Sequence, residues 1–176
     1  AVLISEDSST DIVGVNTAGS LDLNSTAAIS DVGATSVNIT GLADFAGTSI
    51  SLGGGTFNAG TLIFNSAGAV TISEDSGTNI VGVNTAASLD LDSTGAISDA
   101  GATSVTVTGL ADVAGTSISL GGGTFNAGTS RFNSAGAVII SEDSATDIAG
   151  SNTAGSLNLD STGAVSDAGS TSVVVT

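Results

Sequence analysis

The chain has 176 residues and a net charge of −16, with a single basic residue, Arg131. A surface with one cation cannot displace counterions from a phosphate backbone or grip an anionic bilayer, which argues against DNA, RNA and acidic-lipid binding. Pro, Cys, Met, Trp, Tyr, His, Lys and Gln are all missing. Disulfides are therefore impossible, and so is any Ser-His or Cys-His nucleophilic pair.

The first element, Ala1-Val2-Leu3-Ile4-Ser5-Glu6-Asp7-Ser8, returns at Ala69–Ser76 and again at Ala137–Ser144. The period is 69 − 1 = 68 and 137 − 69 = 68. One continuous unit over 1–176 is expected, with repeats at 1–68, 69–136 and a partial third at 137–176. A chain beginning and ending inside a repeat is expected to be a segment of a larger protein, with any targeting signal elsewhere. No apolar run is long enough to cross a bilayer.

Along the first period, short apolar clusters follow one another: Leu21-Leu23, Ile29, Val37-Ile39, Phe45, Ile50-Leu52, Phe57, Leu62-Phe64, Val70-Ile72 and Ile80-Val83. Leu-Asp-Leu, Val-Asn-Ile, Ile-Ser-Leu and Val-Thr-Ile alternate as strands with one buried face do. Gly, Asn, Ser and Asp punctuate them, and helical spacing is absent. Strands of three to five residues are too short for a sandwich core but suit a parallel β-helix with three strands to a rung. About nine strands per period then predict three rungs of roughly 23 residues, and about eight rungs in all. Leu21, Leu23, Val37, Ile39, Ile50, Leu52, Phe64, Val70 and Ile72 are expected inside, and Asp22, Asn38, Ser51 and Thr71 outside. Phe45 becomes Val113 in the second copy, and Leu62-Ile63 becomes Ser130-Arg131. An inward Ser130 would cost its rung buried area.

The run Gly53-Gly54-Gly55-Thr56-Phe57-Asn58-Ala59-Gly60-Thr61-Leu62-Ile63-Phe64-Asn65-Ser66-Ala67-Gly68, with its Leu-Asp-Leu and Gly-Ala-Ile partners, resembles the rungs of filamentous-haemagglutinin-type adhesins. That resemblance implies a right-handed parallel β-helix in a secreted, extracellular or cell-surface bacterial fibre, with a role in cell adhesion. The chain departs from such proteins in its 68-residue super-period and its near lack of basic residues.

Candidate sites are few. The acidic loop Ser5–Asp11 and its copies supply Glu6, Asp7, Asp11, Glu74, Asp75, Glu142, Asp143 and Asp147. Calcium takes six to eight hard oxygens, and carboxylates beside Ser and Thr could begin such a site. The plainer reading is a solvated turn between strands. Leu52-Gly53-Gly54-Gly55-Thr56 lacks the Asp of a calcium-binding glycine repeat, so a tight corner needing positive φ is expected there. No Lys follows, which rules out a phosphate loop. Carboxylate pairs such as Asp90 and Asp92 recur in each copy, whereas an active site is singular. No enzyme is expected, and no catalytic or cofactor-binding residue is assigned. A regular ice-binding Thr array is broken, because Asn38 and Val174 hold the place of Thr106. The expected role is a non-catalytic stalk joined end to end with copies of itself or neighbouring repeats. A calcium-stabilised adhesin module gripping a glycan or another cell is the alternative.

Overall fold

A computed structural model describes residues 1–176. The chain is all β, with no helix, and winds parallel strands into about nine coils of a β-solenoid. At a spacing of ~4.8 Å per strand, the rod is on the order of 40 Å long. Twenty-one strands join in one continuous parallel sheet, from Val2–Glu6 at one end to Ser172–Val175 at the other.

The interior follows from the alternation. Leu21, Leu23, Val37, Ile39, Ile50, Leu52, Phe64, Val70 and Ile72 are all buried, within one hydrophobic column that runs the length of the rod. Asn38, Ser51 and Thr71 are exposed and Asp22 is half-buried. Like residues stack on like. Leu23 pairs with Phe45 and Phe45 with Phe64; one repeat later Leu91, Val113 and Phe132 form the same series. The first series gains an aromatic contact that Val113 cannot make, Phe45 on Phe57 with ring centroids 5.9 Å apart.

The coil is tighter than the strand count predicts, which corrects both the rung length and the number of rungs. Register partners advance from Val2 to Leu21, Ala43, Leu62 and Ile80, so each turn returns to its starting side early. The 68-residue period therefore spans three turns and one further side, instead of three turns. Val2 heads the side of Leu21, Ala43 and Leu62. Its in-phase copy Val70 lies on the next side, above Thr10, Ile29 and Ile50. The third copy, Val138, lies above Thr78, Ile97 and Ile118. The second repeat comes back to the first side only in its second and third strands, where Ile80 sits over Leu62 and Thr85 over Asn65. The third repeat does the same one side on, where Ile148 sits over Ser130 and Thr153 over Asn133. Val138 thus stands over the strand whose Ile80 lies on Leu62, so the third repeat opens on the first side again. Glu6 and Glu142 consequently share a side several turns apart, and Glu74 lies on another.

The glycine corners work by close approach more than by φ. A Cβ at Gly55 would lie 1.8 Å from the Thr35 carbonyl oxygen, and one at Gly123 would lie 1.9 Å from that of Thr103. Only a residue without a side chain lets the rungs close there. Of the first corner's three glycines, only Gly53 has a positive φ, of 154°.

Candidate functional site

The acidic Ser-Glu-Asp-Ser turn is the most developed polar feature, and in its second and third copies the Glu faces inward while the Asp stays exposed. Glu74 and Glu142 are each only 2% exposed, so the expected solvated turn is corrected at these positions. The reason is backbone accounting. Where the chain turns off the rung beneath, the amides of that rung lose their ladder partners, and a buried N–H must find another acceptor. The Ala59 N–H donates to Glu74 Oε1 at 2.7 Å and the Phe57 N–H donates to Asp75 Oδ2 at 3.0 Å. One repeat later the Ala127 N–H donates to Glu142 and the Phe125 N–H to Asp143, at 2.7 and 3.1 Å. The Glu-Asp dipeptide thus replaces a stretch of ladder with its side chains.

The remaining carboxylate oxygens, Glu74 Oε2 and Glu142 Oε2, are buried without a hydrogen-bond partner. Burial pushes both carboxyls above their ordinary value of 4.5, and the donated amide bonds oppose this only in part. Beside the turn a shallow groove of about 400 Å³ runs past Glu74, Asp92, Ser93, Thr94 and Thr116. The same groove recurs in the first repeat at Glu6, Asn24, Ser25, Thr26 and Thr48.

The other loop acids are apart from these. Asp11 accepts from Ser30 Oγ at 3.1 Å and Asp147 from Ser166 Oγ at 2.9 Å. Glu6 accepts from Ser8 Oγ at 3.0 Å, and Asp7 is exposed. No three acidic side chains converge on one point. The calcium candidates are therefore dispersed, in the adjacent pairs Glu6 and Asp7, Glu74 and Asp75, and Glu142 and Asp143, with Asp11 and Asp147 apart.

Outward aspartates stack on neighbouring rungs, Asp22 under Asp44 and Asp90 under Asp112. Partial burial and the neighbouring carboxylate raise Asp44. Burial, Asp92 and Asp112 raise Asp90, against the pull of Arg131. Arg131 lies on the rung next to Asp112 and forms an ion pair with it. Its neighbour Ser130 is the inward residue of that pair, buried with an unpartnered hydroxyl where the first repeat has Leu62.

Two structural sites were not legible as such. Asn84 and Asn152 are fully buried. Asn84 accepts the Phe64 N–H at 2.9 Å and donates to the carbonyls of Val81, Gly82 and Ser104. Asn152 repeats the pattern with Phe132, Ala149, Gly150 and Ser172. Asp31 accepts the Gly53 and Gly54 N–H groups, and Asp99 those of Gly121, Gly122 and Gly123. Their in-phase recurrence was the available signal; a lone Asn or Asp in a turn carries none.

These features define a repeat protein with a solenoid fold. A family described as Repeats of unknown function (DUF5649) matches residues 135–176, about a quarter of the chain. No curated protein and no solved structure matches.

Proposed function

We propose that the chain is a structural stretch of an extracellular fibre or adhesin stalk, without catalysis of its own. The observation that carries this reading is the single parallel sheet that winds through all twenty-one strands, with an apolar column inside it from Leu21 to Ala154. Its buried polar side chains are largely occupied with backbone groups of adjacent rungs, as scaffolding requires. The acidic exterior keeps neighbouring rods apart and in solution. A single Arg and no Lys leave trypsin one point of attack, which suits an exposed, long-lived polymer. The resemblance to secreted haemagglutinin-type rungs supports an extracellular, bacterial setting.

The second reading, a calcium-stabilised adhesin module, draws on the unpartnered oxygens of Glu74 and Glu142, the first of them beside an open groove. Thermal melts with millimolar calcium and with excess chelator separate the two. The stalk reading expects superimposable melts. A calcium-dependent rise in melting temperature that Glu74→Gln abolishes would sink it in favour of the alternative.

A further inference from the structure

Inside a repeat the ladder is continuous. Thr56–Ser66 lies along the whole of Ser36–Gly47, with one irregularity between Ile39 and Leu42. Ser88–Ser93 lies along Ala69–Glu74 residue for residue. The junction between repeats is built differently. One side keeps its ladder, where Val70, Thr71 and Ile72 lie on Ile50, Ser51 and Leu52. The next side ends. No strand is laid along residues 56–59, and the chain above meets them with one backbone bond, from the Asp75 N–H to the Phe57 carbonyl at 2.8 Å. The Asp75 and Glu74 side chains take the Phe57 and Ala59 amides instead. The third side divides. Thr78–Ile80 and Val83–Ala86 both stand over residues 61–66 and meet them at single points, Ile80 on Leu62 and Thr85 on Asn65.

The second junction has the same design. Val138, Ile139 and Ile140 keep the ladder on Ile118, Ser119 and Leu120. Residues 124–127 keep one partner, Glu142 opposite Phe125, and residues 129–133 carry Ile148 and Thr153 at single points.

The interior changes at the same two places. Ser66, Glu74, Thr78 and Asn84 are buried at the first junction, and Ser134, Glu142, Thr146 and Asn152 at the second. Apart from Thr35, Thr103 and Ser130, these are all the buried polar side chains of the rod. They contribute less on burial than the aliphatic residues of the other rungs. Glu74 Oε2, Thr78 Oγ1, Glu142 Oε2 and Thr146 Oγ1 also lie there without a hydrogen-bond partner, which costs each junction further. Lost ladder, polar filling and unpartnered atoms thus coincide twice, both times inside the rod with rungs on either side.

We propose that the two junctions are built-in yield points: pulled along its axis, the rod parts at them, and each 68-residue repeat comes away as one mechanical block. In a fold whose stability sums over neighbouring rungs, load opens the poorest interface first, and the well-laddered block behind it then gives way together. The stalk reading supplies only the direction of the load.

The test pulls the full chain by handles fused to its two ends, in a single-molecule force experiment. Two extension steps of about 23 nm are expected, each the stretched length of one repeat, and one of about 14 nm for residues 137–176. A single step of about 60 nm, or a series of steps of about 7 nm as rungs peel off one at a time, overturns the yield points and leaves the stalk reading as it was. Glu74→Ala with Asn84→Ala removes side chains that bridge the first junction, and is expected to lower the force of one step without altering step lengths. An unchanged force overturns the role given to the junction. Hydrogen exchange of the unaltered chain decides the matter if that variant does not fold. Amides of residues 56–59 and 124–127 are expected to exchange at least tenfold faster than those of residues 36–39 and 104–107, one rung below on the same sides. Equal protection overturns the proposal.

Discussion

Glu74 and Glu142 set the pH response of the rod. Their carboxyls are raised in the folded state, so folding favours the protonated form. The stability they contribute is complete below their ordinary value of 4.5 and is lost as pH rises through the folded value. Asp44 and Asp90 shift in the same direction. The protein is therefore expected to melt higher at about pH 5 than at about pH 7.5, the reverse of a protein whose carboxylates are held by salt bridges. The double substitution Glu74→Gln and Glu142→Gln keeps an oxygen for the Ala59 and Ala127 amides and removes the titrating charge. It should shrink the difference between the two melts; an unchanged difference would place the response elsewhere. Asn84 supplies an internal comparison. Asn84→Ala strands the buried Phe64 N–H and is expected to cost about 3 kcal/mol, whereas Asn16→Ala, whose side-chain oxygen accepts no bond, should cost less than about 1 kcal/mol. Urea titration of the two variants checks the contrast.

At the level of the strand, the alternating pattern was enough to place the interior. Each x-polar-x triplet can bury only one set, and the first repeat's inward residues are the ones observed. The turns were less legible. The acidic loop was read as a solvated turn because an isolated turn is wet; in the solenoid its Glu side chain is buried against the rung beneath and takes over an amide that a turning strand abandons. The glycine corner was read as a demand for positive φ, but what it chiefly demands is room for the carbonyls of Thr35 and Thr103. Corner length was the other missing quantity. Strand count alone cannot say whether a corner is tight or wide, and the length of every turn depends on that choice. Ser130 illustrates a local defect the pattern did reveal. It stacks between Ala111 and Ile148 where its counterpart Leu62 fills the core. Ser130→Leu restores that side chain and removes an unpartnered hydroxyl. It should stabilise the chain by about 2 kcal/mol, raising the melting temperature by about 4–8 °C. A drop would mean that the second repeat has closed around the smaller residue.

For the molecule as a whole, stability is shared along one dimension, because each rung touches only the rungs next to it. The ends are then the weakest parts. Val2, Leu3 and Ile4 at one end and Val173, Val174 and Val175 at the other are exposed, although the middle copies of the first set include the buried Val70 and Ile72. The 68-residue period was plain from the sequence, but its rotation was not. It emerges only when the period is divided by the true length of a turn, and a small error in that length changes three turns into nearly three and a half.

That leftover part-turn has a practical outcome for anything the rod displays. A decoration stamped once per repeat faces one flank, then another, then the first again, like houses numbered alternately across a street.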